Sequence, residues 1–193
     1  FKFCDALQSV TIPDSVESIG DDVFYGCDAL QSVTIGNSVE SIGDYAFENC
    51  TALTTVTIPD SVESIGNYAF SRCSALESAT IGDNVTSIGN GAFSDCSKLT
   101  TLTIPDSVES LGDYAFSSCS DLETVNLPTN ASFTKIEDYV FQNCSALQSL
   151  TIPDSVESIG VRAFRNCSNA SFTQITIPSS VTTLGTDVFN GCT

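Results

Sequence analysis

The fold is decided by the stretch Leu53-Thr54-Thr55-Val56-Thr57-Ile58-Pro59-Asp60-Ser61-Val62-Glu63-Ser64-Ile65-Gly66-Asn67-Tyr68-Ala69-Phe70-Ser71-Arg72-Cys73, because close copies of it fill the chain. Its first residue recurs after steps of 23 residues and then, twice, of 25 residues. The series is Leu7, Leu30, Leu53, Leu76, Leu99, Leu122, Leu147 and Phe172. A fixed period of this length is typical of a solenoid, in which each repeat forms one coil. We therefore predict about eight stacked coils, numbered one to eight from these residues.

Each position of the repeat has a physical role. Leu, Val and Ile at positions 1, 4 and 6 favour a short strand with outward Ser and Thr side chains. A Pro or Gly then ends the strand, and a Val-x-x-Ile pair indicates a second extended segment. The following Gly-Asp or Gly-Asn resembles a helix N-cap, so the next segment, such as Ala46–Cys50, is predicted to form one or two helical turns.

A single coil is not expected to fold alone. Its few inward apolar side chains cannot offset the conformational entropy lost when the coil is ordered. Neighbouring coils must complete its backbone hydrogen bonds and cover its apolar ends. Equivalent side chains should therefore lie directly above one another, so that surface properties occur in columns along the stack.

The unit L-x-x-V-T-I-P-x-S-V-x-S-I-G-x-x-A-F-x-x-C resembles the BspA-type leucine-rich repeat over essentially the whole chain. The resemblance implies an α/β leucine-rich-repeat solenoid with a parallel sheet on one face and short strands, turns and short helices on the other. It also implies the extracellular or cell-surface location and the adhesive, protein-binding role associated with that family. Three departures are Glu137 in place of the turn glycine, Ala79 in the strand, and Val161-Arg162 in place of Asp-Tyr.

Both ends of the chain fall in the same phase of the repeat. Phe1-Lys2-Phe3-Cys4 is the closing piece of a unit, and Cys192 closes another. Terminal coils of solenoids usually carry a polar cap, and neither end has one. We therefore expect residues 1–193 to be one solenoid domain that belongs to a longer array.

The charge and the residue inventory exclude several classes of function. The chain has 24 acidic and 6 basic side chains, a net charge of −18 and no His. Such a charge argues against binding nucleic acid or an anionic membrane surface, and no apolar run reaches the roughly 20 residues of a membrane span. Every titratable residue is either periodic or isolated, whereas a catalytic site needs a constellation that breaks the repeat. We predict neither an enzyme nor a cofactor.

Two outward columns of small polar side chains flank the central residue of each strand. Their simplest interpretation is the preference of Thr for strands, and the functional one is a face that binds a protein or glycan partner. A regular Thr array also resembles ice-binding solenoids, although the mixed Ser and Thr content argues against that. A structural spacer is the alternative role. The candidate binding residues are Ser9, Thr11, Ser32, Thr34, Thr55, Thr57, Ser78, Thr80, Thr101, Thr103, Thr124, Asn126, Ser149 and Thr151.

Acidic residues form three further columns. Like charges that face each other across strands repel, so these columns predict either a solvated edge or weak Ca²⁺ binding by carboxylates of adjacent coils. No calcium-binding loop motif supports the second interpretation. The columns are Asp14, Asp60, Asp83, Asp106 and Asp154; Glu17, Glu40, Glu63, Glu109 and Glu157; and Asp21, Asp44, Asp113 and Asp138.

The nine cysteines occur once per unit. An odd number spread evenly along the chain does not predict a disulfide framework, and a metal site would need ligands clustered at short spacing. We predict buried thiols that pack as small apolar groups. The column is Cys4, Cys27, Cys50, Cys73, Cys96, Cys119, Cys144, Cys167 and Cys192.

Six Asn-x-Ser/Thr sequons are candidate glycosylation sites in a secreted eukaryotic protein, although chance explains them equally well in a chain rich in these residues. Asn130 and Asn169 each begin the peptide Asn-Ala-Ser-Phe-Thr, and each lies in one of the two 25-residue steps. We expect a surface bulge at each. The six residues are Asn49, Asn84, Asn130, Asn143, Asn166 and Asn169.

A tyrosine column comes last. Tyr45, Tyr68, Tyr114 and Tyr139 precede the buried Ala or Val of their coils. Aromatic residues are enriched at interfaces, but ordinary packing is the simpler interpretation.

Overall fold

The computed structural model describes residues 1–192, and in it the chain is a β-solenoid of about eight coils that contains two series of short parallel strands. Strands are numbered in chain order. The first series is β1 (Ser9–Thr11), β3 (Ser32–Thr34), β5 (Thr55–Thr57), β7 (Ser78–Thr80), β9 (Thr101–Thr103) and β11 (Thr124–Asn126). The second is β2 (Ser18–Ile19), β4 (Ser41–Ile42), β6 (Ser64–Ile65), β8 (Ser87–Ile88), β10 (Ser110–Leu111), β12 (Lys135–Ile136), β13 (Ser158–Ile159) and β14 (Thr183–Leu184).

The first series forms one six-stranded sheet in the order β1-β3-β5-β7-β9-β11. Equivalent residues of successive coils are directly paired: Val10 pairs with Val33, and Val56 pairs with Ala79. Parallel strands lie about 4.8 Å apart, so one coil adds about that length to the stack. The predicted column arrangement is confirmed.

The second extended segment is also confirmed, because the inward Ile of each Val-x-x-Ile pair lies in a two-residue strand. Ile19 pairs with Ile42, and Ile42 pairs with Ile65. These strands form a five-stranded sheet, β10-β8-β6-β4-β2, and a separate three-stranded sheet, β12-β13-β14.

The predicted helical turns are wrong: residues 1–192 contain no helix, and therefore none that could span a membrane. The segment Asp44–Asn49 forms consecutive turns, in which Tyr45 and Asn49 have φ values of 57° and 60°. Left-handed residues at this spacing interrupt an α-helix. The amide of Phe47 donates to the carbonyl of Ala69 in the next coil at 2.7 Å, so this segment contributes to the inter-coil ladder. The fold is all-β rather than α/β.

One continuous apolar core fills the stack. Its most regular part is a column of phenylalanine rings with stacked faces. Ring centroids of Phe47 and Phe70 lie 5.1 Å apart, and those of Phe70 and Phe93 lie 5.1 Å apart. The spacing grows to 5.8 Å between Phe116 and Phe141. The coils are therefore packed most tightly in the first half of the chain.

The glycine after each second-series strand is required by the close approach of successive coils. A β-carbon at Gly66 would lie 2.6 Å from the carbonyl carbon of Gly43, closer than atoms tolerate. Gly20 has the same place in coil one, and there the nearest atom to a β-carbon would be Val23 Cγ2 at 3.7 Å. Inter-coil contact, rather than backbone conformation, therefore selects glycine in this column.

Glu137 is the exception in that column, and it coincides with the break in the second series of strands. The amide of Gly112 donates to the Ile88 carbonyl at 2.8 Å, and that of Gly160 donates to the Ile136 carbonyl at 2.7 Å. Glu137 makes no equivalent bond, and β10 does not pair with β12. A β-carbon at this position is incompatible with the close approach seen at Gly66.

The two inserted peptides begin with an anchored Asn rather than an open bulge. Asn130 Nδ2 donates to the Val108 carbonyl at 2.8 Å, while its Oδ1 accepts the amides of Ser132 and Phe133 at 2.8 and 3.0 Å. This arrangement places Phe133 in the core, fully buried, at the position that Val occupies in other coils.

We expect Gly66→Ala to lower the free energy of unfolding by about 1–3 kcal/mol, because the new methyl group overlaps the backbone of coil two. Gly20→Ala is the matched control and should change it by less than about 0.5 kcal/mol. Urea denaturation followed by circular dichroism measures both. Equal effects of the two substitutions would show that inter-coil approach does not select glycine here.

Candidate binding face

The outward side chains of the first sheet form an exposed hydroxyl surface. All fourteen candidate binding residues are exposed. Within the paired strands they stand in register: Ser9 pairs with Ser32, and Thr57 pairs with Thr80. A hydroxyl group both donates and accepts hydrogen bonds. The face therefore offers an uncharged, polar surface with a repeat of about 4.8 Å.

This face changes character after β11. Thr124 and Ser149 form only an isolated bridge. Within residues 1–192, neither Leu150–Ile152 nor Gln174–Thr176 belongs to a strand. Two open slots, of about 330 and 400 Å³, lie between coils six and seven and between coils seven and eight, and a separate cavity of about 510 Å³ lies between coils five and six. These slots are not predicted from the repeat motif, although the two 25-residue steps are a signal for them.

The third acidic column is a set of inter-coil links rather than a repulsive charge ladder. Asp21 Oδ1 accepts the Asp44 amide at 2.8 Å, and Asp44 Oδ1 accepts the Asn67 amide at 2.7 Å. The side chains of Asn67 and Asn90 accept the next amides, those of Asn90 and Asp113, at 2.9 and 2.8 Å. Each carboxylate or amide oxygen therefore satisfies a backbone N–H of the following coil.

Part of the first acidic column has the same role. Three of its carboxylates each accept a backbone amide of the next coil. Asp14 accepts the Asn37 amide at 2.7 Å, Asp60 accepts the Asp83 amide at 2.9 Å, and Asp106 accepts the Thr129 amide at 2.6 Å. The Glu column makes no such bond. Glu17, Glu40 and Glu63 instead line an open cleft of about 790 Å³ at the edge of the second sheet.

The calcium hypothesis gains no ligand set from this geometry. Within the part of the chain that the structure describes, no three acidic or thiol side chains are grouped closely enough to hold a metal ion. The third acidic column and part of the first already have backbone amides as partners, and the Glu column is open to solvent. A solvated, acidic edge accounts for these columns.

The cysteine column is confirmed as a buried set of free thiols, of which only Cys4 and Cys192 are half-buried. Each thiol from coil one onward donates to the carbonyl of the core Phe of the preceding coil, as Cys50 does to Phe24 at 3.3 Å. Burial raises the pKa of Cys50 to about 12. Interaction with the neighbouring Cys167 thiol lowers the pKa of Cys192. We therefore expect the buried thiols to be unreactive and the half-buried Cys192 to react most readily.

The sequon residues differ in exposure. Asn84 is exposed, whereas the other five are half-buried. A glycan would be attached to the side-chain Nδ2 atom. In Asn130 this atom donates to the Val108 carbonyl, and in Asn169 it donates to the Ala146 carbonyl, both at 2.8 Å. The bulges predicted at these two residues are therefore structural anchors. Glycosylation stays a prediction, and it is sterically simplest at Asn84.

The tyrosine column forms two stacked pairs. Ring centroids of Tyr45 and Tyr68 lie 5.4 Å apart, and those of Tyr114 and Tyr139 lie 4.4 Å apart. Gly91 interrupts the column. The Tyr68 ring packs so closely against Gly91 that a β-carbon there would be 2.4 Å from Tyr68 Cε1. Packing along the stack accounts for these rings.

Comparisons with known proteins agree with the repeat motif. The family model of the BspA type leucine rich repeat region matches residues 1–120 and 64–193. The crystal structure of a T. pallidum leucine rich repeat protein is 31% identical, with a TM-score of 0.77 over 83% of this chain and 77% of that chain. A leucine rich cell surface protein from Faecalibacterium prausnitzii is 32% identical, with a TM-score of 0.57 over 98% of this chain and 66% of that one.

A leucine-rich repeat protein from Bacteroides ovatus is 27% identical and has a TM-score of 0.55 over 100% of this chain and 72% of that chain. No curated protein matches the sequence. The solved structures therefore share the solenoid fold, and one of them is named as a cell-surface protein.

We expect Asp44→Ala to destabilise the protein by about 1–2 kcal/mol, because the Asn67 amide loses a hydrogen bond to a charged group. Asp44→Asn should cost less than about 0.5 kcal/mol, since Asn67 and Asn90 make the same bond in the same column. Urea denaturation measures both values. If Asp44→Asn is as damaging as Asp44→Ala, the carboxylate charge rather than the amide link matters.

We expect Ellman's reagent at pH 8 to modify Cys192 first and Cys4 next in the native protein, because only these two thiols are partly accessible. All nine should react after denaturation. The rate for Cys192 should fall as the pH drops through its lowered pKa, since the thiolate is the nucleophile. Cys192→Ala should remove the fastest phase. Rapid native modification of Cys73 would contradict the buried column.

Proposed function

We propose that this chain, which belongs to the BspA-type leucine-rich repeat family, is an extracellular or cell-surface binding module whose hydroxyl-covered sheet face holds a protein or glycan partner. One observation carries the proposal. The outward residues of six paired strands form a continuous uncharged surface on a molecule with a net charge of −18.

The physical case rests on rigidity and chemistry. Each outward side chain is short and stands on a strand that pairs with its neighbours, so a partner that binds there orders few side chains. Ser and Thr hydroxyls donate and accept hydrogen bonds, which suits peptide groups and sugar hydroxyls. Extended sheet faces of solenoids are their usual contact surfaces.

Two further observations support the proposal. A relative of 32% identity is named a leucine rich cell surface protein, which agrees with an extracellular location. Members of this repeat family are generally non-catalytic, and the periodic arrangement of the titratable residues gives no reacting pair of groups that departs from the repeat.

A spacer role in a larger assembly is the second candidate. The uniform stacking of the core phenylalanines at about 5.1 Å in the first coils favours it, since a spacer needs only a regular stack. The chemistry of the outward face is then irrelevant. Substitutions on that face separate the two candidates.

The double variant Thr57→Lys with Thr103→Lys tests the face. These residues are exposed and lie two coils apart, so the new side chains do not adjoin each other. The matched control is Ser74→Lys with Ser145→Lys, which adds the same charge at exposed positions outside the strands. Surface plasmon resonance on immobilised mucins, matrix proteins and polysaccharides measures capture of the chain.

We expect wild type and control to bind at least one of these surfaces and the face variant to bind at least about tenfold more weakly. Unfolding temperatures of all three proteins should stay within about 2 °C of one another, because exposed substitutions change stability little. If the face variant binds as well as wild type, or wild type binds none of the surfaces, the binding proposal fails and the spacer role is favoured.

A further inference from the structure

Within residues 1–192, the paired strands of the hydroxyl face end at coil six, and coils seven and eight carry no strand there. In alternate earlier coils the inward Ile after the strand continues the ladder, as when the Ile104 amide donates to the Asn126 carbonyl at 3.0 Å, whereas the Ile35 and Ile81 amides make no such bond. The equivalent amide of Leu127 makes no such bond to coil seven. Leu150–Ile152 and Gln174–Ile177 lie outside any ladder.

Coils six to eight lack strand pairing with one another on one side only. On the second side, Ile136 pairs with Ile159 and Ile159 pairs with Leu184. On the turn side, the Phe164 amide donates to the Val188 carbonyl at 3.0 Å. The coils therefore remain joined along two of their sides, and the separation is confined to the hydroxyl face.

The inserted peptides explain the position of the opening. Coils of equal length stack in register on every side, whereas a coil with two extra residues cannot match its neighbour along its whole circumference. One insertion follows the strand of coil six at Asn130, and the other precedes the strand position of coil eight at Asn169. The strand position of coil seven lies between them.

The larger slot is lined by residues that belong to no strand, among them Leu150 and Ile152. Gln174 and Thr176 line the opposite wall. Backbone groups outside a ladder are the chemistry that pairs with an added extended strand.

The negative charge at the slots also favours a partner of positive charge. The Asp154 carboxylate lines the larger slot and, like that of Asp83, makes no hydrogen bond within the described part of the chain, whereas Asp14, Asp60 and Asp106 in the same column do. No Lys or Arg lines either slot. A Lys or Arg side chain of a segment bound at the edge of the sheet would therefore pair with the Asp154 carboxylate, which has no other hydrogen-bond partner there.

We propose that coils six to eight of the hydroxyl face form the docking site for an extended, basic segment of a partner protein, whose main chain pairs with Leu150–Ile152 and Gln174–Ile177 and whose Lys or Arg meets Asp154. This inference rests on the proposed function and deepens it, because it names the place on the face and the class of partner. Coils one to five keep a paired strand at this position and therefore offer fewer free main-chain groups.

Fluorescence anisotropy with a labelled Lys-Thr-Val-Thr-Lys-Thr-Val-Thr peptide tests the site on the full chain at low ionic strength. We expect Asp154→Asn to weaken binding about five- to tenfold, because it removes the charge that meets lysine. Asp60→Asn is the matched control: it removes the same charge from the same column, away from the slots, and should leave the affinity unchanged.

Two further probes separate main-chain pairing from simple charge attraction. A peptide with the same sequence but N-methylated at alternate residues should bind at least about tenfold more weakly, since it lacks the donors that a strand needs. Hydrogen exchange followed by mass spectrometry should show protection of segments 148–153 and 173–178 on addition of the unmodified peptide, with coils one to five unaffected.

The inference is overturned if the unmodified peptide does not bind, if Asp60→Asn weakens binding as much as Asp154→Asn, or if N-methylation has no effect. Any of these results would leave the proposed function standing, provided that the Thr57 and Thr103 variant still lost capture of its surface. Failure of that variant alone would remove the wider face and leave the peptide site.

Discussion

The structure depends on hydrogen bonds between the backbones of successive coils. Each coil donates amides to its neighbour at the first strand, at the second strand and along the turns, as Phe47 does to Ala69. An isolated coil would leave these groups without partners, and buried polar groups without partners are costly. The close approach that these bonds require explains why glycine fills a whole column, and why a single residue with a β-carbon, Glu137, accompanies a break between two sheets.

The same requirement decides what the polar columns do. Asp side chains that would repel each other as a ladder of charges are instead turned towards amides of the next coil, and thiols are turned towards carbonyls of the preceding one. In these columns, side chains make the hydrogen bonds between coils that the backbone does not make. Columns that are left out of this network, such as Glu40 and Glu63, face solvent in an open cleft.

Much of this architecture could be predicted from the repeat. The period gives the coils, and alternation around Val56 gives the strand and its outward threonines. The turn segment could not be predicted in the same way, because Ala46, Phe47 and Cys50 have a spacing that equally suits a helix, and Tyr45 is not a residue expected at positive φ. The links of Asp44 and the slots beside Leu150 depend on the neighbouring coil, so the sequence of one unit does not reveal them.

The aspartate links have a consequence for how such a molecule can change over time. Asp and Asn accept the same amide in one column, as Asp44 and Asn67 do, so an exchange between them alters the net charge by one while the fold is conserved. A chain with many such positions can drift over a wide range of isoelectric points. The net charge of the protein can then adapt to the salt concentration, pH or surface charge of its surroundings, independently of the selection that maintains its folding.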